Sequence, residues 1–508
     1  MRKKRSLWLL FVLLWSALSA GSLSAGQLTP SKKPFPGPKQ YIYRLTLRDK
    51  AGSPYSLDHP GRWLSHKSVE RRRHQGLQLD STDLPVSPRY LHELRAERQA
   101  HIVGQSRWNN TVLVCSADTA LLSRLSALPF VAKGELVWVS PDSLDRSRER
   151  WMLHDRFNPW DSLNYERYGH GQEQIEMVQG QRLHDVGYSG RGMTIAVLDG
   201  GFRNADRISS LQPGRIVGYH DFLPAVATGT KPDRRDRDDD GPTSMAALFQ
   251  GNEHGTKVLS VMAANAPQVL VGTAPDAHYW LLRCEDQMTE QPVEEDYWAM
   301  AAEFADSVGV DVINSSLGYN DYDAPHADYR LSQLDGSSSL ISRTASMLAR
   351  KGIILVNSSG NTGMGPWKKL CVPADAHDVL TVGAVNAEGQ NAPFSAVGPT
   401  QDGRVKPDVV ALGSATAVVS GRGSIVRDMG TSFSAPVVAG LVACLWQALP
   451  QMTATDIIGL VRQTADNADT PDNIYGYGLP DFWRAYMVGR QQQEKSVTTD
   501  SSTTPTVP

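Results

Sequence analysis

The stretch MTIAVLDGGF, residues 193–202, carries an apolar run that stops on Asp199 and turns on two glycines. A short, continuous apolar run reads as a strand covered on both faces. Ending such a strand on an acid is costly unless the carboxylate is paired. The same pattern recurs downstream in HYWLLRC (278–284), VDVINSS (310–316), GIILVNSSG (352–360) and VLTVGAV (379–385). Between these runs lie the helical stretches GTKVLSVMAA (255–264), EEDYWAMAAEFADSVG (294–309) and SSLISRTASMLARKG (338–352). Strands alternating with helices specify an α/β fold, a parallel sheet with helices on both faces. Functional groups of such folds gather at the carboxyl ends of the strands, where Asp199 stands.

This strand–helix pattern occupies 176–488 of 508 residues, and the rest of the chain reads differently. Residues 41–140 form a small α+β unit. YIYRLTL, HIVGQSRW, NTVLVCSA and GELVWVSP are strand-like, while SPRYLHELRAERQ and DTALLSRLSAL have helical spacing. The order is β-α-β-β-α-β with an extra helix. Before it, residues 1–25 combine a basic head, an apolar run from Leu7 to about Leu18 and small residues, the pattern of a secretory signal. Residues 26–40 read as a linker, 141–175 as a polar connector, and 489–508 as a low-complexity, disordered tail. The expected location is outside the cell or in the periplasm or cell envelope. The composition, 41% hydrophobic and 21% charged, is that of a globular protein with two or three domains. A net charge of −3 gives no electrostatic recruitment of nucleic acid or anionic membrane. No stretch after the signal reads as a membrane span. Four cysteines are too few for a disulfide scaffold; a Cys284–Cys371 bridge is left open, and Cys444 reads as a buried free thiol.

Three further positions accompany Asp199. GNEHGTKVLS (251–260) puts His254 just before a helix, and GTSFSAPVVAG (430–440) puts Ser432 at a helix start, with Pro436 in the expected first turn. VNSSGN (356–361) ends a buried run with Asn361 after a glycine. Alone, each has an ordinary reading: turn residue, structural histidine, N-cap. Together they supply an acid to orient an imidazole, an imidazole to take a proton, a hydroxyl to attack, and an amide to donate to an oxyanion. A helix N-terminus at Ser432 adds a backbone N–H and a positive dipole end.

These blocks resemble the subtilisin-like serine peptidases: Asp-x-Gly after a strand, then His-Gly-Thr, then Gly-Thr-Ser-x-x-x-Pro, in that chain order. The resemblance covers about residues 176–488. It implies Asp199 as triad acid, His254 as base, Ser432 as nucleophile and Asn361 as oxyanion donor. NSSLG (314–318), with Ser316, Leu317 and Gly318, resembles the strand that pairs with substrate backbone. Ser358, Ser359 and Gly360 resemble a wall of the pocket for the side chain before the scissile bond. KPDVVALG (406–413) is also family-like. Phe433 stands where methionine is usual, and Lys257 follows HGT where histidine or another residue stands. The intact HGT block argues against the sedolisin-like branch, which uses a carboxylate pair. Residues 41–140 resemble, in element order and position, the inhibitory propeptide of such zymogens. SVERRRHQGLQLDSTDLPVSPRYL (68–91) and GQRLHDVGYSGRGMTIAVLDGGF (180–202) resemble secreted members of Bacteroidetes type.

The expected function is a secreted serine endopeptidase acting through an acyl-enzyme on protein or peptide substrates, with its own N-terminal domain as partner. The alternative is a catalytically silent binding or scaffold protein on the same fold; retention of all four groups argues against it. No cofactor and no metal is expected. DRRDRDDDG (233–241) alternates Asp236, Asp238 and Asp240 before Gly241, which admits structural calcium as the lesser reading. The twelfth loop position is Ala247 where a bidentate Glu is required, so a solvated loop is the better one.

Overall fold

The computed structural model describes residues 32–145, 166–228 and 245–501. The signal-like segment, the 233–241 loop and most of the 141–175 connector lie outside these residues.

The N-terminal unit is built from β1 (Tyr41–Leu47), α1 (His66–His74), α2 (Pro88–Ala96), β2 (His101–Ser106), β3 (Thr111–Ser116), α3 (Leu121–Ser126) and β4 (Val131–Val139). The four strands pair antiparallel in the order β2-β3-β1-β4. The extra helix is α1. Strand periodicity decides what each face covers. Tyr43, Leu45, Val112 and Val114 pack against the unit's own helices. Ile42, Leu113 and Trp138 point the other way, into a core shared with the following domain.

That domain holds seven parallel strands: β5 (Thr194–Asp199), β6 (Ile216–Asp221), β7 (His278–Arg283), β8 (Val312–Ser315), β9 (Ile354–Ser358), β10 (Leu380–Val385) and β11 (Val409–Leu412). Their order is β11-β10-β9-β8-β5-β7-β6. The sequence reading located five of them; the edge strands β6 and β11 escaped it. A hairpin, β12 (Thr416–Val419) and β13 (Ile425–Asp428), follows the last strand. Alternation on β5 again sorts the faces. Ile195 and Val197 meet α4 (His254–Ala263), α7 (Thr431–Ala448) and α8 (Ala454–Gln463). Ala196 and Leu198 meet α5 (Val293–Val308) and α6 (Leu340–Met347).

Two expectations need amendment, and one open question is answered. Helix α7 is long and apolar enough by composition to cross a bilayer, but it is the central core helix and is 89% buried. All four cysteines are buried and free, so the Cys284–Cys371 bridge is not formed. The chain after 488 continues helix α9 (Phe482–Ser501) instead of starting a disordered tail at 489. Phe482, Ala485 and Tyr486 anchor the first turns in the core. Gln, Glu and Lys then extend the helix at little cost, with an Arg490–Glu494 pair one turn apart.

The two domains meet on α5 through buried charges. Arg44 Nε lies 2.8 Å from Asp296 Oδ1. Asp306 accepts from Arg71, Arg72 and Arg107 at 2.5, 2.8 and 2.7 Å. Glu303 accepts from Ser106 Oγ and from the N–H groups of Arg107 and Trp108. Past β4, residues Ser143–Asp145 fold back to pair with Lys32–Pro34. No residue of the N-terminal unit pairs with 314–318 among the described residues.

Candidate active site

Asp199 closes β5 and is fully buried. One of its oxygens accepts the Gly200 N–H at 2.7 Å. His254 opens α4, and its Nδ1 lies 2.9 Å from both Asp199 oxygens. The approach needs a glycine next to the histidine. A Cβ on Gly255 would lie 2.5 Å from the Gly201 carbonyl oxygen and 2.9 Å from Asp199 Cβ. The first turn of α4 therefore sits against the turn that ends β5. Burial pulls the imidazole's proton affinity down, but the Asp199 carboxylate outweighs it and holds His254 above its usual range. The ring keeps an exposed edge, with 32% of the side chain accessible. Its inner side meets Phe433, ring centroids 5.7 Å apart.

Ser432 is the second residue of α7, which already begins at Thr431. Pro436 thus falls in the second turn, later than the sequence implied. A proline has no N–H for the carbonyl four residues back, which is that of Ser432. Ser316 Oγ donates to this freed carbonyl at 2.8 Å. In return, Ser432 Oγ donates to the Ser316 carbonyl at 3.4 Å. The segment after β8 is thereby bound to the start of α7. Ser432 Oγ makes no hydrogen bond with His254 in this arrangement.

Asn361 follows β9 and is oriented by Thr431, whose N–H and Oγ donate to Asn361 Oδ1 at 2.9 and 3.0 Å. With its oxygen occupied, the amide's NH2 is left for another acceptor. At the same helix start, Phe433 N–H donates to Gly430 O. The Ser432 N–H has no acceptor among the described residues, as expected of a first-turn donor. Two donors at this helix start, Asn361 Nδ2–H and the Ser432 N–H, thus have no acceptor among the described residues.

The candidate substrate walls lie side by side, because Ser315 and Asn357 are register partners on β8 and β9. Ser316, Leu317 and Gly318 continue one strand and Ser358, Ser359 and Gly360 end the other. Cys371 is wedged between them. A Cβ on Gly318 would lie 2.9 Å from Cys371 Cβ, and one on Gly360 would lie 2.7 Å from its Sγ. Gly360 also has φ +110°, so glycine is required there twice over.

Sequence reasoning passed over Glu285. It lies two residues beyond β7, accepts from Tyr319 Oη at 2.5 Å and feels both Asp199 and His254. Burial pushes its carboxyl up to about 7, against the Tyr319 hydrogen bond. The signal used at Asp199, an acid just past a buried strand, was present here as well. Among the described residues no cluster of His, Cys, Asp or Glu is suited to hold a metal ion.

Comparison with known proteins identifies the family. The model of the subtilase family matches residues 190–478, and that of the peptidase S8 propeptide domain of Bacteroidota matches 42–151. A thermostable alkaline protease of Halalkalibacterium halodurans is 28% identical over 61% of this chain and 72% of its own length. Subtilisin Savinase of Lederbergia lenta is 28% identical over 60% of this chain and 94% of its own. Buried acid, partnered imidazole and helix-start serine lie within the span of the first match and the docked α+β unit within the second: the chain belongs to the subtilase family and is a subtilisin-like serine endopeptidase with an N-terminal propeptide domain.

Proposed function

We propose that this chain is a secreted endopeptidase whose Ser432, His254 and Asp199 act as nucleophile, base and orienting acid, with Asn361 as oxyanion donor. Ser432 Oγ attacks the carbonyl carbon of the scissile bond while its proton passes to His254 Nε2. A rotation about the Ser432 Cα–Cβ bond exchanges the Ser316 carbonyl for the imidazole as acceptor. Asp199 holds Nδ1–H, fixes the tautomer and stabilises the imidazolium. The carbonyl oxygen becomes an oxyanion between Asn361 Nδ2–H and the Ser432 N–H. On collapse the C–N bond breaks and the imidazolium protonates the leaving amine, giving an acyl-enzyme. Water, deprotonated by His254, then releases the acid and restores Ser432.

Segments 316–318 and 358–360 line the substrate's course. The propeptide domain occupies α5 until maturation by cleavage between about 140 and 175. Secretion rests on the signal-like first 25 residues. The observation that carries the reading is the His254 Nδ1–Asp199 contact of 2.9 Å behind an exposed imidazole edge.

The test is a fluorophosphonate probe with mapping of the modified peptide. Wild type should carry the adduct on Ser432, and Ser432→Ala should carry none. An adduct elsewhere, or labelling that survives in Ser432→Ala, refutes the assignment.

A further inference from the structure

We propose that Lys257 is a positioning residue whose ammonium ties the first turn of the His254 helix to the strand that leads into Ser432. The inference rests on the catalytic reading of those two residues. Lys257 Nζ lies 2.7 Å from Glu253 Oε1 and 3.3 Å from Asp428 Oδ2. Its side chain is only 16% exposed and that of Glu253 only 10%, so water competes poorly for the Glu253 contact, while Asp428, 36% exposed, holds the outer end of the bridge. Glu253 immediately precedes His254 and stands four residues before Lys257, the favourable order for a pair one turn apart. Asp428 ends β13, four residues before Ser432.

The bridge is one of two charged attachments of the hairpin to this helix start. Glu253 Oε2 accepts the Gly421 N–H at 3.0 Å, in the turn between β12 and β13. Asp428 Oδ1 accepts the Met429 N–H at 2.8 Å, at the other end of β13. The hairpin that delivers the serine is therefore fastened to α4 at its turn by Glu253 and at its base by Lys257. Uncharged contacts join the same elements: the Val419 N–H of β12 donates to Ser260 Oγ of α4 at 2.8 Å, and His254 meets Phe433. Catalysis is sensitive to such fastening, because a displacement of about 1 Å can cost on the order of 100-fold in rate.

The bridge has an electrostatic signature that packing alone would lack. Among the described residues, the charges acting on His254 are Asp199 from β5, Lys257 from its own helix, Asp428 from β13 and Glu285 from beyond β7, while Glu253, just before the helix, pairs with Lys257. Asp428 favours the imidazolium and Lys257 disfavours it. Removing the lysine should move the acid limb of kcat/KM to higher pH. Removing the Asp428 charge should move it to lower pH.

The experiment compares Lys257→Met, Lys257→Arg and Asp428→Asn with wild type. Each is assayed for kcat and KM from about pH 5 to pH 10 on a neutral peptide substrate, and each is titrated with the fluorophosphonate. Lys257→Met should lose about tenfold in kcat with KM within twofold, and its acid limb should rise by a few tenths of a pH unit. Lys257→Arg should recover most of the kcat. Asp428→Asn should lose kcat with its limb displaced downward. A Lys257→Met enzyme with wild-type kcat and an unmoved limb overturns the proposal. So does a fall in kcat without displacement of the limb, or without recovery in Lys257→Arg. If Lys257→Met does not fold, Asp428→Asn decides: a downward limb with reduced kcat supports the tie, and an unchanged profile overturns it. Labelling of wild-type Ser432 is read separately, so failure of the catalytic reading is distinguished from failure of the tie.

Discussion

Helix α5 carries its charges in an order that it cannot satisfy alone. Glu294, Glu295 and Asp296 fill its first turn, where acids suit the dipole, and no basic residue stands in its last turn. Glu303 and Asp306 stand near the negative end instead. The missing cations come from the propeptide domain: Arg71, Arg72 and Arg107 converge on Asp306, whose side chain is fully buried. Replacing Asp306 by Asn keeps the shape but leaves Arg71 and Arg107 without their buried carboxylate and Arg72 with Asp83 alone. Breaking one partner of a buried pair costs about 3–5 kcal/mol. Arg72 keeps Asp83 at 3.1 Å, so the lower end applies. At about 1.4 kcal/mol per factor of ten, about 3 kcal/mol weakens docking on the order of 100-fold. The assay uses residues 26–145 and 166–508 produced together, the second carrying Ser432→Ala, with their dissociation constant measured by titration. Burial raises the Asp306 carboxyl, but the three arginines outweigh it and hold it below its usual range. A depressed acid contributes fully above its unfolded pKa of about 4 and loses that contribution as pH falls through the folded value. The deficit of Asp306→Asn should thus be complete at neutral pH and shrink below about pH 4. A loss smaller than tenfold at pH 7, or one that persists unchanged in acid, refutes the reasoning.

Two further predictions concern the reaction centre. Asp199→Asn should leave the fold intact and lower kcat by about 10,000-fold. Because the Asp199 carboxylate holds His254 above its usual range against burial, wild-type kcat/KM should rise with pH through an apparent pKa above about 6.5. A near-normal rate in the variant, or a wild-type limb below that value, contradicts the role of Asp199. Asn361→Ala should lower kcat about 100- to 1,000-fold with KM little changed, since the oxyanion exists only past the ground state. An effect confined to KM would make Asn361 a substrate-binding group and no more.

What the sequence made legible follows from the range over which each signal acts. The interior strands were plain because burial on both faces leaves continuous apolar runs, as in β5 and β9. Edge strand β6 was not, because IVGYHD is largely half-exposed and loses that signature. Asp199, His254, Asn361 and Ser432 were each visible at a strand end or helix start, but nothing local says that Thr431 orients the Asn361 amide. That contact joins residues 70 apart, and neither is unusual where it stands. The domain interface was hidden for the same reason. Arg71 and Arg72 sit in the run ERRRH, which reads as a solvated helix face, yet both are buried against Asp306 more than 230 residues away. Charge runs signal solvent only when no complementary surface exists elsewhere in the chain. Here that surface is the C-terminal end of α5, whose acids and missing bases are themselves a sequence signal. The two anomalies, more arginines than the local Glu70 and Asp83 can pair and a helix end with no cations, account for each other once paired. Their pairing gives the propeptide domain a physical reason to favour folding of α5, because it supplies the charge that the helix end lacks.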